Sequence, residues 1–272
     1  MRNTIIDFHA HAFPDALAER AIAHLEHTGG VKASLDGRIA SLLSSMDGAG
    51  IDTSVICSIA TKPDQFAPIL SWSKAIASPR IVPLPSIHPS ASDPVGQARQ
   101  VAEAGFLGVK LHPYYQGFDV DEERLFPLYR ALDELGLILV CHTGFDFAFP
   151  HDRKADPVRI RRVIDRLPSL LFITTHLGAW DDWDEVERHL LGLPVYMDIS
   201  LSIELLGRER ARELLSAHPA DRILFGTDSP WAGQSETLQL VRSLDLDPER
   251  QERLLHTNAE TLLRRSAPER PT

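Results

Sequence analysis

The chain has 272 residues, 43% hydrophobic and 24% charged, with a formal net charge of −10 and a pI near 5.6. Such a composition belongs to globular proteins with a substantial core; it excludes a fibrous or low-complexity chain, and the lack of a Lys/Arg-rich block argues against nucleic acid as a partner. No apolar run reaches the roughly 18 residues of a membrane span and no leader-like segment precedes the first one, so a cytoplasmic protein without a membrane partner is expected, and a homo-oligomer is compatible with all of this.

The first apolar run, Thr4–His9, leads into His9-Ala10-His11. Residues two apart on a strand share a face, so these imidazoles stand roughly 6.6 Å apart at Cα, placed to close on one metal ion. Asp7 has the parity of His9 and is expected either to orient a ligand from one layer deeper or to serve a buried structural role. Two helices, Pro14–His27 and Arg38–Ala49, are expected in the long connection that follows. The next runs are Thr53–Ile59 and Ile81–Ile87, the latter followed by His88. Asp93-Pro94 then opens a helix that stops at Gly105: an acidic cap, a proline in the first turn and a terminal glycine are start and stop signals. Phe106–Leu111 carries Lys110 and leads to His112, Asp121–Leu135 reads as an amphipathic helix closed by Gly136, and Leu137–His142 ends in a histidine. Asp156-Pro157 repeats the start signal for Val158–Leu167. Leu170–Thr175 precedes His176, and Val195–Ile199 and Arg222–Gly226 complete the set, the last leading to Asp228. Covering helices follow Asp247-Pro248, and 262–272 is expected to be a frayed tail. Cys57 and Cys141 sit inside apolar runs and read as reduced core thiols.

Near-continuous apolar runs alternating with helical stretches imply parallel strands covered on both faces. Eight such units in one chain imply a single-domain α/β protein spanning 1–272, a (β/α)8 TIM barrel. A doubly wound open sheet is the weaker alternative, since no Gly-rich phosphate loop follows the first run. In a barrel the C-terminal strand ends build the site. Here they bring His9, His11, Lys110, His112, His142, His176 and Asp228 to one mouth. His24, His27, His189, His218 and His256 fall in helical stretches and are read as structural. Aromatic residues follow several strand ends (Phe13, Tyr114, Tyr115, Phe145, Phe147, Phe149 and Trp231), which suits a small cyclic or planar molecule. His88, His112, Tyr114 and Trp231 are candidate substrate contacts, and His151, Arg153 and Lys154 could hold a carboxylate.

The stretches Ile6-Asp7-Phe8-His9-Ala10-His11, Gly108-Val109-Lys110-Leu111-His112-Pro113, Thr175-His176-Leu177-Gly178 and Phe225-Gly226-Thr227-Asp228-Ser229-Pro230, with His142, resemble the amidohydrolase superfamily in its amidohydrolase 2 branch. The likeness runs from residue 4 to about 262 and includes the tail His256-Thr257-Asn258-Ala259. It implies a divalent metal, most often zinc, held by His9, His11, His142 and Asp228, with one position left for water. It further implies that Asp228 moves a proton and that His176 hydrogen-bonds the water or a substrate oxygen. In two-metal members the histidines of strands 5 and 6 share a second ion, with Lys110 as the candidate bridging lysine; an anchor for a substrate anion is its other reading. The expected reaction is hydrolysis of a small cyclic or aromatic ester, lactone, amide or carboxylate-bearing substrate, because the chain is compact. Non-oxidative decarboxylation of an unsaturated or aromatic acid is the alternative, and a non-catalytic metal-binding barrel the remote one.

Overall fold

The computed structural model describes residues 4–265, and within them eight parallel strands alternate with helices. The strands are β1 (Ile6–Ala10), β2 (Thr53–Cys57), β3 (Ile81–Leu84), β4 (Gly108–Leu111), β5 (Ile138–Cys141), β6 (Phe172–Thr174), β7 (Tyr196–Asp198) and β8 (Ile223–Leu224). Ladders join β1 to β3 and β4 to β8 in sequence order. The bridge Ser86↔Lys110 links the two ladders on one side. On the other, Phe8 N donates to Phe225 O (2.7 Å), and His9 O accepts from Asp228 N (2.8 Å) and Thr227 N (3.2 Å), which closes the cylinder. The fold is the (β/α)8 barrel.

Two apolar layers explain why the runs are continuous rather than alternating. Ile6, Phe8, Val55, Ile138, Val140 and Leu224 belong to one cluster drawn from strands all around the ring, which can meet only inside the barrel. Ala259 and Leu262, from the helix Asn258–Leu263, join that cluster and plug its floor. Val109, Leu139, Phe172, Met197 and Phe225 belong to the outer layer beneath the helices. Fully burying a side chain of this kind contributes about 1.5–3 kcal/mol. Leu262 is buried, so the tail expected to fray from 262 is core as far as its helix runs, because the barrel floor needs an apolar plug. The remainder of that expectation, 266–272, lies outside the described residues.

The start signals act as expected. Asp93 accepts from Gly96 N, and Asp156 accepts from Val158 N and Arg159 N. The ladders stop earlier than the apolar runs, β2 at Cys57 and β3 at Leu84, because the chain beyond them turns over the barrel mouth. Helices such as Phe66–Ile76 and Arg208–Ala217 carry no distinctive start signal: Phe66–Ile76 includes Pro68 and Trp72, and Arg208–Ala217 has no capping side chain. Among the described residues no helix is long and apolar enough to cross a membrane.

Candidate metal centre and active site

The strand ends carry their side chains to one spot. β1 shifts register between Asp7 and Ala10. Ile6 and Phe8 fill the barrel interior, and past the shift His9 and His11 also turn inward, with Ala10 in the outer layer. Asp7 therefore does not share a face with His9, contrary to simple strand parity. It points outward, accepting from Thr227 Oγ1 (2.7 Å), Thr227 N (3.0 Å), Gln234 Nε2 (2.8 Å) and His9 N (3.2 Å). Burial raises its carboxyl to about 6 against these bonds, and its work is structural.

Hydrogen bonds assign the protons of the two histidines. His11 Nδ1 lies 2.6 Å from Cys57 O, which can only accept, so Nδ1 carries the hydrogen. His9 Nδ1 lies 3.0 Å from Asp198 Oδ2 and 3.1 Å from Ser200 Oγ, whose own hydrogen goes to Asp198 Oδ1 (2.5 Å). In the neutral imidazoles Nε2 then presents a lone pair, and the two Nε2 atoms face each other at 3.1 Å. Asp228 Oδ1 sits 3.2 Å from one and 3.0 Å from the other. Burial alone would raise the Asp228 carboxyl, but His9 and His11 overcome it and hold it far below the usual carboxylate range. Burial, then the charge of Lys110, lowers His9 to about 4, which keeps its Nε2 unprotonated at neutral pH.

Three acceptors, His9 and Asp228 buried and His11 partly so, thus converge on one point, an arrangement that a divalent cation satisfies. Tetrahedral ligands about 2.0–2.1 Å from zinc stand about 3.3 Å apart, close to the observed separations. The donor set of imidazoles and a carboxylate suits zinc and its first-row neighbours. Lys110 Nζ adjoins it, 3.1 Å from His9 Nε2. His142 stands outside this trio. Its Nε2 donates to Phe145 O (2.9 Å), and its Nδ1 faces His176 Nε2 at 3.1 Å. His176 Nδ1 donates to Ser200 O (3.0 Å), so these two nitrogens also meet lone pair to lone pair. Burial, then His112 and His176, lowers His142 well below its usual range. His176 and Asp228 hold left-handed backbone conformations, φ 58° and 62°, which in non-glycine residues cluster at functional sites. Gly226 is needed beneath them, because a Cβ there would meet His9 Cβ at 2.9 Å.

A cavity of about 580 Å³ opens from this cluster, and Lys110, His112, Tyr115, Trp180 and Trp231 help line it. His112 stacks on His142, ring centroids 4.1 Å apart and planes 10° apart, with Asp146 near both. Imidazole lone pairs lie in the ring plane, so two parallel rings do not converge on one ion, and this group is not a second metal site of its own.

Several expected contacts lie elsewhere. The Tyr114 hydroxyl lies within reach of Gly144 O (2.8 Å) and Asp152 O (2.6 Å) and donates its one hydrogen to this pair of carbonyls, holding the loop after β5 rather than lining the cavity. His88 accepts from Ser90 N and faces Arg124, away from the cavity. Arg153 pairs with Asp182 (2.8 Å), Lys154 with Asp119 (3.7 Å), and His151 stacks on Phe145, so none of the three is directed at a carboxylate in the site. Cys57 and Cys141 are buried thiols pushed up to about 12 by burial, and hence inert. Sequence reasoning missed Asp198 and Ser200, whose only signal is a polar residue inside the end of the seventh apolar run and another just past it, and Trp180, which meets His176 edge-on at 5.4 Å. It also read His24 as structural, whereas His24 borders the far end of the cavity.

Comparisons with known proteins agree with the fold. A family model described as amidohydrolase matches residues 6–265. A search of curated protein sequences finds no match. Among solved structures, an uncharacterised TIM-barrel protein from Bordetella bronchiseptica is 23% identical with a TM-score of 0.74, over 96% of this chain and 98% of that one. A 5-carboxyvanillate decarboxylase from Novosphingobium aromaticivorans, complexed with manganese and 4-hydroxy-3-methoxy-5-nitrobenzoic acid, is 16% identical with a TM-score of 0.69, over 95% of each chain. A 2,6-dihydroxybenzoate decarboxylase from Rhizobium is 17% identical with a TM-score of 0.68, over 96% of this chain and 98% of that one. At these identities the likeness speaks for the fold.

Proposed function

This chain belongs to the amidohydrolase family, and on that basis we propose that it is a metal-dependent decarboxylase of an unsaturated or aromatic acid, with a divalent metal held by His9, His11 and Asp228. The observation that carries the metal assignment is the convergence of His9 Nε2, His11 Nε2 and Asp228 Oδ1, which lie 3.0–3.2 Å from one another. When bound, the metal supplies Lewis-acid polarisation of a substrate oxygen. The compactness that favours hydrolysis loses its force, because the chain covers 95% and 98% of the two decarboxylase chains above. The manganese reported with one of them supports a divalent ion here, with zinc and manganese both suited to the donors.

The residues fit the chemistry R–CO₂⁻ + H⁺ → R–H + CO₂. Lys110, buried at the cluster, is the cation for the carboxylate. Apolar and aromatic walls disfavour a carboxylate's charge and tolerate neutral CO₂, so the electron pair of the broken C–C bond passes to the ring or alkene carbon. That carbon needs a proton. One proton shared between His142 Nδ1 and His176 Nε2 would relieve their facing lone pairs, and His176 Nε2 is the delivering atom, with its ring fixed by Ser200. The test compares CO₂ release from hydroxybenzoic and other unsaturated acids with hydrolysis of aryl esters and lactones, using metal-loaded protein. CO₂ release is expected, and faster hydrolysis would overturn the reading. Metal analysis should give one ion per chain; two would assign the His142–His176 pair to a second ion. Asp228→Asn should lose metal and at least about a thousandfold in kcat/KM while remaining folded, since metal polarisation contributes several kcal/mol.

A further inference from the structure

The cavity is longer than the cluster needs. From the metal end it runs between the helices Asp15–Gly29 and Phe66–Ile76, where Leu17, Ala21, Leu25, Ile69 and Trp72 line it. On Asp15–Gly29 the lining positions recur at helical spacing, so one face of that helix looks into the cavity. Leu17, Leu25 and Ile69 belong to neither apolar core, and Leu17 is 43% exposed, so core packing does not account for their apolarity. Charge is distributed just as unevenly. Among the lining residues the Lys, Arg, Asp and Glu side chains are Lys110, Asp146 and Asp228, all at the metal end; Thr61, Gln65 and His24 are the polar groups at the far end. Arg153 and Lys154, the nearest basic candidates from the sequence, are paired elsewhere.

We propose that the substrate is a monocarboxylate whose uncharged, apolar body extends from the metal cluster into the arm between these two helices, seated on Leu25, Ile69 and Trp72. The proposal rests on the reading of the metal end as the place where the carboxylate reacts. The size agrees: at about 30 Å³ per water, the cavity holds about twenty waters or a molecule with a similar number of non-hydrogen atoms, more than a bare benzoate supplies. A second carboxylate at the far end of such a molecule would meet Thr61, Gln65 and His24 but no Lys or Arg among the lining residues, beside the apolar Leu25, Ile69 and Trp72, which is costly.

Binding of benzoate, 4-ethyl-, 4-butyl- and 4-hexylbenzoate and terephthalate to the metal-loaded protein tests this, read by calorimetry and by quenching of Trp72, Trp180 and Trp231. Each buried methylene should tighten binding about fourfold until the arm is filled, and terephthalate should bind at least about tenfold more weakly than benzoate. Ile69→Glu should flatten the chain-length gradient at unchanged metal content. A flat gradient in the parent protein, or terephthalate binding as tightly as benzoate, overturns the proposal. So does an Ile69→Glu protein that keeps the gradient but changes sedimentation, which would give the face to a second copy of the chain. Decarboxylation of short acids without a gradient would remove the arm and keep the proposed reaction; a gradient without CO₂ release would do the reverse.

Discussion

Asp198 and Ser200 decide which nitrogen of His9 and His176 carries the proton. Ser200 Oγ gives its hydrogen to Asp198 and faces both Nδ1 atoms at 3.1 Å, so each imidazole keeps a hydrogen on Nδ1 and turns Nε2 toward the site. Burial would raise Asp198, but its electrostatic interaction and hydrogen bond with His9 hold it well below the usual range, so it remains an acceptor. Ser200→Ala, or Asp198→Asn, should weaken metal binding by about 10–100-fold without unfolding the protein, as competition with a chelating dye would show. An unchanged affinity would mean that the rings are held by packing alone. The histidines themselves were legible in the sequence because each ends an apolar run, a local pattern. Asp198 and Ser200 were not, since their meaning is a contact with His9 across a sequence separation of 191 residues for Ser200.

At the scale of elements, the alternation of strands and helices could be read directly, because parallel strands buried on both faces are continuously apolar. The register shift in β1 could not, because Asp7-Phe8-His9 looks the same whether regular or shifted. Its effect is to separate two jobs: His9 turns into the site, and Asp7 turns out to join β1 to the segment after β8 through Thr227 and Gln234. Four donors point at the Asp7 carboxyl, so Asp7→Asn sets an amide N–H against at least one of them. That change should cost about 1–3 kcal/mol in a urea melt, with metal content at saturation little altered. A neutral result would show that Thr227 and Gln234 find other partners. Expected substrate contacts failed for a related reason. Tyr114 and Arg153 follow strand ends as they should, but loop folding gave their polar atoms to backbone carbonyls and to Asp182.

Across the whole molecule, histidines kept neutral in the interior set the response to acid. Burial is the first cause lowering His9, His112, His142 and His218, so the unfolded chain binds more protons than the native one below their ordinary value of 6.5. Stability of the metal-free protein should therefore fall as pH drops below about 6.5, each histidine contributing up to about 1.4 kcal/mol per pH unit until its own folded value is reached. Asp7, raised to about 6, acts in the opposite sense between about pH 4 and 6 and offsets part of this loss. Urea midpoints at pH 7.5, 6.5 and 5.5 measure the slope; a flat profile would mean that these histidines protonate in place.

Ring closure carries a consequence for metal binding. His9 and His11 end β1, Asp228 lies just past β8, and the seam between β1 and the segment after β8 brings them together. A chain that has not closed the ring keeps the Asp228 carboxylate apart from the two histidines. On the proposed reading of the site, metal affinity should therefore appear only with closure of the ring, and a fold whose seam is open should bind the ion no better than the unfolded chain.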